Sequence, residues 1–421
     1  DRNGLPPLDE PLLAGTEAVF ISVPMHTAAR LGLALARRVR AGAPEAAIAF
    51  FGTYAGAVAQ LVTREHLADA LISGEFERPA HDWLASPGDL VAGPDGPRTL
   101  EGFARDQHPV PDRHGLPPLD RYARLRTASG LRITGHTETT RGCAHRCTHC
   151  PLTPVYGGRL RLVAAETVLA DIEQQVAAGA THITFGDPDF LNAVPHSLAI
   201  CRELHQRHPH VSFDMTAKVE HLVADPPLLE KLKSLGCLFV TSAFESTSAE
   251  VLERLGKGHS PEDLLKVVEI SRDLDLPGRP TWMAFTPWTR RSDYLGMLAF
   301  IDEHQLADAV QPLQYGLRLL LPPGSPLINA AAADGLLGDF DEDGLTYRWR
   351  SRETGMDALQ QHLEEILRSP KFHDCGTEGA PRAAFERVHR EAAAALGTPP
   401  PRRRPPGSNR FVPGLTEDWF C

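Results

Sequence analysis

Three cysteines with the spacing C-x3-C-x2-C constrain this chain more than any other feature. Cys143, Cys147 and Cys150 lie within RGCAHRCTHCPLTPVYGGR, which spans residues 141–159. Thiolates this close in sequence can converge on one centre within a single loop. The residues before them, LRITGHTETT, alternate in the manner of a β-strand, and the prolines and glycines after them delay the start of a helix. The sequence therefore predicts an inorganic centre in a loop that follows a strand.

Two kinds of centre are compatible with three cysteines. A tetrahedral zinc site takes four ligands, so His136, His145 or His149 would have to complete it. A 4Fe–4S cluster usually takes four cysteines, and three would leave one iron without a protein ligand. An iron left open in this way can bind another molecule. The zinc alternative describes a non-catalytic scaffold that recruits partners.

Length and composition narrow the class of protein. A chain of 421 residues predicts two or three structural units. The net charge of −11 argues against nucleic acid as the main partner, because phosphate binding needs a basic face. No run of about 18 apolar residues is present, so we expect no membrane span. Seven cysteines, three of them clustered, predict a cytoplasmic location and a metal centre rather than a disulfide framework.

Residues 1–90 carry a βαβαβ pattern in which AVFISVP, AAIAFFG and ADALISGE are the strands. Alternation of this kind predicts parallel strands with right-handed crossovers, in a Rossmann-like domain. Small and polar residues at the strand ends suit a ligand lying across the carboxyl edge of the sheet. Residues 83–100 are expected to form a small hairpin, and the proline-rich residues 91–130 a linker.

Residues 131–335 carry six strand-like segments, with helical patterns between most of them. The segments begin near Leu131, Thr181, Val211, Cys237, Pro280 and Gln311. Six βα units are too few for the closed eight-stranded barrel. Residues 336–421 are expected to form an appended helical region with a proline-rich tail.

The cysteine spacing, placed after a strand that opens a βα series, resembles the radical S-adenosylmethionine (SAM) superfamily. The resemblance implies that Cys143, Cys147 and Cys150 hold a 4Fe–4S cluster, and that the amino and carboxylate groups of SAM bind its fourth iron. It also implies an α/β fold with a partial (β/α)6 barrel over residues 131–335. An electron donor such as flavodoxin or ferredoxin, and a small-molecule or peptide substrate, are the partners expected.

The ends of the strands provide candidates for SAM binding, because reactive groups of parallel βα folds lie there. The resemblance implies that GDPD, with Gly186 and Asp187, meets the SAM amino group. A carboxylate suits a protonated amine, and glycine lets the backbone come close; an ordinary Asp-Pro turn is the alternative. Glu245 and Ser246 occupy the position at which the fourth strand of the family contacts SAM.

Further candidates are two cations and three residues near the cysteines. Lys218 and Arg318 are candidates for the SAM carboxylate, which a planar guanidinium matches bidentately. His149 stands where the family frequently has an aromatic near adenine, and it can stack or titrate. Tyr156 and Arg159 are candidate substrate residues. A purely structural role is the alternative for these residues.

The amino-terminal pattern resembles the cobalamin-binding domain that precedes many radical SAM domains. It lacks the D-x-H-x-x-G sequence that supplies an axial histidine to cobalt, and it is shorter than a full cobalamin domain. His26 follows the first strand, but a single histidine there is more often a surface or capping residue. Corrinoid binding and a scaffold role both stay open.

The chain ends at Cys421, behind two aromatic residues. This end resembles a group of radical SAM proteins named for a CUAEP or CCAEP tail, although the residues that would follow the cysteine are absent. The resemblance implies a catalytic role for Cys421, as a ligand to the open iron, a binder of a thiophilic substrate or a radical relay. A disordered end is the alternative.

The sequence predicts an enzyme that cleaves SAM reductively, and three reactions stay open. A cobalamin domain favours methyl transfer, its absence favours hydrogen abstraction, and the cysteine tail favours transfer of the 3-amino-3-carboxypropyl group of SAM. The cofactors supply the difficult chemistry in each case, while the protein orients SAM and excludes water.

Overall fold

The computed structural model describes residues 13–86, 90, 92–93, 96–102, 108–369, 380–399 and 411–417. Its amino-terminal domain is a parallel sheet in the order β1-β2-β3-β4. The strands are β1 (Ala18–Ser22), β2 (Ala47–Phe51), β3 (Ala70–Gly74) and β4 (Arg98–Gly102). The helices are α1 (His26–Gly42), α2 (Ala59–Arg64) and α3 (Glu77–Leu84). The Rossmann-like prediction is confirmed.

Of the hairpin predicted within residues 83–100, the described residues show one antiparallel bridge, between Gly93 and Gly96. The chain leaves α3 and returns as β4, which pairs in parallel with β3 from Ala70 and Arg98 onward. This edge strand has the sequence RTLEG and lacks an apolar pattern, so its order comes from pairing rather than from local preference. The segment predicted as a linker, residues 91–130, therefore begins with a strand of the amino-terminal sheet.

A seven-stranded curved sheet forms the second domain, in the order β12-β11-β10-β9-β6-β5-β15. Strands β6 and β9 to β12 are parallel, and β5 and β15 add an antiparallel edge. The strands from here to the carboxyl end are β5 (Arg124–Thr127), β6 (Gly130–Thr137), β7 (Thr140–Gly142), β8 (Leu160–Leu162), β9 (His182–Phe185), β10 (Ser212–Thr216), β11 (Cys237–Glu245), β12 (Gly278–Trp282), β13 (Leu337–Asp341), β14 (Thr346–Trp349) and β15 (Gly414–Leu415).

Helices cover the outer face of this sheet. They are α4 (Leu152–Tyr156), α5 (Ala165–Ala177), α6 (Val194–Arg207), α7 (Val219–Ala224), α8 (Pro226–Ser234), α9 (Ala249–Arg254), α10 (Pro261–Asp273), α11 (Arg291–Glu303), α12 (Leu327–Ala333), α13 (Met356–Leu367) and α14 (Ala380–Ala395). None of the described helices is both long and apolar enough to cross a bilayer.

The partial barrel is confirmed, but its sixth strand differs from the prediction. Residues Pro312–Gly316 form a 3-10 turn, and the sixth position holds only a parallel bridge between Phe285 and Arg318. Proline lacks the N–H that a ladder of hydrogen bonds needs, which explains why no strand begins near Gln311.

The two faces of the barrel strands differ in polarity. Phe213 and Met215 of β10 point to the helices and have no exposed surface. Asp214, between them, accepts hydrogen bonds from the hydroxyl of Thr184 (2.7 Å) and lies 2.8 Å from Nε2 of His182. Alternation along each strand thus gives an apolar outer layer and a polar inner face.

The β13–β14 hairpin joins the two domains. Leu345, near its tip, is fully buried in the apolar core of the amino-terminal domain. The carbonyl of Gly344 lies 2.6 Å from Nε2 of His26, and Glu342 pairs with Arg64 at 2.6 Å. The region 336–421 thus contributes a hairpin as well as the predicted helices.

Candidate active site

The three cysteines lie on a loop closed by a short antiparallel pair, β7 and β8. Gly142, the last residue of β7, has φ +71°, and a Cβ there would overlap the carbonyl of Arg159 and the ring of Tyr156. Inside the loop the hydroxyl of Thr153 donates to the carbonyl of Cys147 at 2.8 Å. The loop is therefore fixed by close backbone approach that a larger residue at position 142 would prevent.

A second attachment joins the loop to the segment that follows α9. The N–H of Thr148 donates to the carbonyl of Leu255 (3.0 Å), and its hydroxyl donates to the carbonyl of Arg254 (2.6 Å). Both bonds hold the middle of the loop over the carboxyl end of β11. The cysteines consequently face the edge of the barrel where reactive groups of this fold class lie.

Cys143, Cys147 and Cys150 are free thiols. Burial raises the pKa of Cys150 to about 11, and the neighbouring thiols act in the same direction. Burial also raises the pKa of Cys143, although the side-chain amide of Asn192 lies 3.4 Å from its sulfur and favours the thiolate. A metal centre is what makes such thiols ionise at neutral pH.

The neighbours of the three cysteines bear on the choice between a cluster and a zinc ion. Zinc would bring its sulfur ligands to about 3.8 Å from one another. Within the described part of the chain, the groups of three ligands that lie within 4.8 Å of one another do not include these cysteines. The histidines proposed to complete a zinc site contact other residues: His136 lies against Gly186, His145 against Asp189 and His149 against Glu245. Three thiols without a fourth protein ligand among the described residues suit a 4Fe–4S cluster with one open iron better than a closed zinc site.

Glu245, the last residue of β11, connects the loop to a buried lysine. It has φ +62° at a shift in the β11–β12 register. Its Oε1 lies 3.2 Å from Nε2 of His149 and 3.2 Å from Nζ of Lys257. Burial opposes ionisation, but Lys257 and His149 outweigh it and lower the pKa of Glu245 to about 2. The carboxylate predicted to contact SAM is thus charged, and the neighbouring Ser246 is buried beside it.

Gly186 and Asp187 fix the turn that leads into the cysteine loop. The carboxylate of Asp187 accepts the N–H and hydroxyl of Thr139 (2.9 and 2.7 Å) and the hydroxyl of Thr140 (2.6 Å). A Cβ at Gly186 would overlap the ring of His136. These contacts give both residues a structural role; contact with the SAM amino group stays a prediction.

The two cations predicted to bind the SAM carboxylate already have acidic partners. Nζ of Lys218 lies 2.9 Å from Oε1 of Glu220. Arg318 donates to Asp357 at 2.7 Å, and its guanidinium lies 3.4 Å from the ring centroid of Trp349. Because both charges are neutralised within the protein, their role toward SAM also stays a prediction.

Tyr156 lies between the two domains rather than in an open pocket. Its hydroxyl donates to Glu75 at 3.1 Å, and Nε2 of His108 lies 2.7 Å from the same carboxylate. Arg141 donates to Glu75 at 3.2 Å, while Arg159 donates to the carbonyl of Tyr156 at 2.9 Å. We call Glu75, His108, Arg141 and Tyr156 the Glu75 cluster. No pattern in the sequence indicates this cluster, because Glu75 follows β3 directly and its partners lie far along the chain.

A cavity of about 700 Å³ lies beside β6 and β9, against α5 and residues 116–119. Polar side chains of both strands line it, with Met25 of the amino-terminal domain at its rim. The lining includes Arg113, Thr134, His136 and Thr184. The hydroxyl of Thr134 is buried without a hydrogen-bond partner among the described residues. The cavity thus combines apolar walls with a few polar atoms, as sites for small molecules do.

The amino-terminal sheet does not fit a corrinoid held by a protein histidine. His26, the histidine next to the end of β1, is engaged with the carbonyl of Gly344, and burial lowers its pKa. At β3 the Glu75 cluster joins the edge of the sheet to the cysteine loop. A Cβ at Gly52 would come within 3.1 Å of the Val23 backbone, so this glycine serves chain packing.

Cys421, the candidate tail residue, lies outside the described residues, as does the CUAEP-like end. Among residues that the sequence did not single out, Asn192 contacts Cys143 and Lys257 pairs with Glu245. Lys257 stands between two glycines, Gly256 and Gly258, which both have positive φ. This Gly-Lys-Gly sequence is the pattern that could have drawn attention to the lysine.

Comparison with known proteins shows what this site is similar to. Residues 137–287 match the Radical SAM superfamily. An uncharacterized methyltransferase of Pyrococcus horikoshii is 25% identical over 251 residues, which are 59% of this chain and 50% of that protein. A putative methylthiotransferase of Methanocaldococcus jannaschii is 23% identical over 327 residues, covering 73% of this chain and 68% of that protein. The chain thus spans half the length of the first relative.

Two solved structures share the fold over 92% of this chain. The radical SAM methyltransferase TsrM of Kitasatospora setae superposes with a TM-score of 0.67 at 16% identity, over 86% of that chain. The cobalamin-dependent SAM radical enzyme OxsB superposes with a TM-score of 0.69 at 14% identity, over 64% of that chain. The matched segment, residues 137–287, contains the cysteine loop and strands β9 to β12. The segment of this chain that carries the cysteine loop, residues 137–287, therefore matches the Radical SAM superfamily.

Proposed function

We propose that this chain holds a 4Fe–4S cluster on Cys143, Cys147 and Cys150 and cleaves SAM reductively. The observation that carries the proposal is the cysteine loop, which presents three free thiols at the carboxyl edge of the half-barrel. A cluster bound there would supply the electron that breaks a carbon–sulfur bond of SAM. An external donor such as flavodoxin or ferredoxin would reduce it.

The residues around the loop have separate tasks in this proposal. Asn192 donates toward the sulfur of Cys143 and favours its thiolate. The Lys257–Glu245 pair holds His149 beside the third cysteine. The Glu75 cluster closes the side of the loop that faces the amino-terminal domain. Together these contacts orient the loop and limit the entry of water to it.

We assign the reaction to methyl or methylthio transfer onto a small molecule or peptide. Two supports are the relatives, an uncharacterized methyltransferase and a putative methylthiotransferase. A third is the cavity beside β6 and β9, because its volume lies within the range of about 300–1,000 Å³ that small-molecule sites occupy. The hydroxyl of Thr134 offers a hydrogen-bonding atom to a substrate there.

A corrinoid-dependent version is the second candidate. It is favoured by the likeness in fold to cobalamin-dependent enzymes, but the described residues offer no free histidine at the end of β1. We therefore derive no step that uses a corrinoid. Transfer of the 3-amino-3-carboxypropyl group, and a role for Cys421 in it, stay predictions.

The test is anaerobic reconstitution with iron and sulfide, followed by SAM and dithionite. We expect cluster absorbance, and SAM-derived products that depend on the reductant. 5′-Deoxyadenosine indicates hydrogen abstraction, S-adenosylhomocysteine indicates methyl transfer, and methylthioadenosine indicates 3-amino-3-carboxypropyl transfer. Corrinoid absorbance after growth with cobalamin decides the second candidate.

The matched variants are Cys150→Ala and Cys201→Ala. Each removes one cysteine, but Cys201 is fully buried in α6 among the apolar residues of the core. We expect Cys150→Ala to lose the bound cluster and the cleavage of SAM, and Cys201→Ala to keep both. Equal iron content and equal SAM cleavage in the two variants would contradict the proposal.

A further inference from the structure

A second group of metal-binding side chains lies beside the cysteine loop. We propose that His145, Asp189 and His221, the His145 site, bind one divalent transition-metal ion of the zinc or ferrous class. The three residues come from the cysteine loop, the segment after β9 and helix α7. The proposal is independent of the reaction proposed above, because it rests on these side chains alone.

The distances suit a single ion. Nε2 of His145 lies 3.2 Å from Oδ2 of Asp189, and Nδ1 of His221 lies 3.0 Å from the same oxygen. A tetrahedral ion with bonds of 2.0–2.1 Å separates its ligand atoms by about 3.3 Å. All three ligand atoms lie within 4.8 Å of one another. An ion can therefore enter with small movements of the side chains.

Two of the ligand atoms are buried and lack a well-formed hydrogen bond. Nε2 of His145 and Oδ2 of Asp189 have no hydrogen-bond partner among the described residues. Asp189 is 1% exposed, so bulk water does not solvate its carboxylate. Unsatisfied buried polar atoms are costly, and a shared metal ion would satisfy both.

The surrounding residues orient the ligands as outer partners of metal sites do. Nδ1 of His145 lies 3.0 Å from Oε1 of Glu220, which leaves the lone pair of Nε2 directed to Asp189. A carboxylate that accepts the second ring N–H of a ligating histidine is the usual arrangement. The other oxygen of Asp189 accepts the N–H groups of Leu191 (3.3 Å) and Lys218 (3.4 Å) and lies 3.2 Å from Nδ1 of His221. Oδ2 is thus the oxygen left for a metal.

Two histidines and one carboxylate define the class of ion. This set binds zinc with a fourth position open, or iron(II) with several positions open. Calcium and magnesium prefer oxygen ligands throughout. The ion would add positive charge next to the cysteines, because His145 lies between Cys143 and Cys147 in the loop. Its open position would accept an oxygen or sulfur atom of a bound molecule.

The experiment uses zinc as the probe on the protein with its cluster reconstituted. Protein is dialysed against zinc under anaerobic conditions, and zinc, iron and sulfide are measured by elemental and chemical analysis. We expect one zinc per chain in the wild type, and loss of zinc without loss of sulfide in His221→Ala and Asp189→Asn. His210→Ala is the control, because His210 is an exposed histidine outside the site.

Glu220→Gln tests the orienting role separately. Removal of an outer partner lowers metal affinity by about 10–100-fold, so we expect zinc affinity to fall by that factor while stoichiometry at saturation stays at one. A far-ultraviolet circular dichroism spectrum that matches the spectrum of the wild type shows that each variant is folded. Zinc content unaffected by His221→Ala, or zinc that disappears only when the cysteines are replaced, overturns the proposal.

Discussion

Nζ of Lys257 lies 3.2 Å from Oε1 of Glu245, and both side chains are almost fully buried at the carboxyl end of β11. The pair stands directly behind His149, so it couples the end of a barrel strand to the cysteine loop. A buried pair of this kind need not add stability relative to apolar residues, but breaking it leaves one charge without compensation.

Lys257→Met is therefore expected to lower the free energy of unfolding by about 3–5 kcal/mol, because Glu245 then stays buried without its cation. Urea denaturation of the protein measures the change. Lys266→Met is the matched control, since Lys266 pairs with Asp263 at 2.8 Å but is half exposed, and we expect little or no loss of stability. Glu245→Gln in the Lys257→Met background should restore much of the stability; no restoration would show that the pair is not the cause.

Gly142→Ala is expected to abolish cluster binding. The added Cβ would overlap the carbonyl of Arg159 and the ring of Tyr156, so β7 and β8 could not close the loop. Gly157→Ala provides the comparison, because Gly157 also has positive φ (+58°) but has open space around the added atom. That variant should lose about 1–2 kcal/mol from backbone strain and keep its iron. The measurement is iron and sulfide per chain after reconstitution.

Tyr156→Phe is expected to weaken the Glu75 cluster while preserving the packing of the ring. Loss of a hydrogen bond to a charged group costs about 1.5–3 kcal/mol, and α4, which carries Tyr156, follows the cysteine loop directly. We expect faster release of iron to a chelator as well as a lower melting temperature. Glu45→Gln is the control, because Glu45 is an exposed carboxylate of the amino-terminal domain, which also contains Glu75. This variant should change neither the rate of iron release nor the melting temperature. Equal rates of iron release from the wild type and both variants would contradict the expectation.

His259 is expected to make the protein sensitive to acid. Burial, with Lys257 acting in the same direction, lowers its pKa to about 4, although the carbonyl of Phe244 and the charge of Glu245 oppose this. Above pH 6.5 His259 is neutral in both the native and the unfolded protein. Between pH 6.5 and 4 the unfolded chain binds a proton on this histidine and the native chain does not. Stability should therefore fall with falling pH by up to about 3 kcal/mol.

His259→Gln removes this titration while keeping an N–H that can donate to the carbonyl of Phe244, which lies 3.3 Å from Nε2 of the histidine. Urea unfolding at pH 7 and at pH 4.5 measures the difference for both proteins. The variant should lose less stability between the two values than the wild type. An identical loss would show that other groups account for the acid sensitivity.

The features predicted from sequence are those that short segments determine. The cysteine spacing and the alternating strands β6, β9, β10 and β11 were recognisable because each pattern is complete within a few residues. The strand β4 was missed because RTLEG becomes a strand only by pairing with β3. The structural role of Asp187 was missed for a related reason, since its partners Thr139 and Thr140 lie almost fifty positions away.

The His145 site also depends on contacts between residues that are far apart in the sequence. His145 was considered only as a ligand to complete a zinc site with the cysteines, because it is their neighbour in sequence. Its contacts instead join it to Asp189 and Glu220, which follow different strands of the barrel. Sequence spacing predicts which groups share a loop, but the sheet decides which groups from other strands meet them.

The hairpin between β13 and β14 has a consequence for movement between the domains. Because Leu345 is fully enclosed by the amino-terminal core, pulling the two domains apart would transfer a leucine side chain into water, at a cost of about 1.5–3 kcal/mol. A hinged opening would also break the Glu342–Arg64 pair. We therefore expect the two domains to stay docked during turnover and to unfold in one cooperative transition.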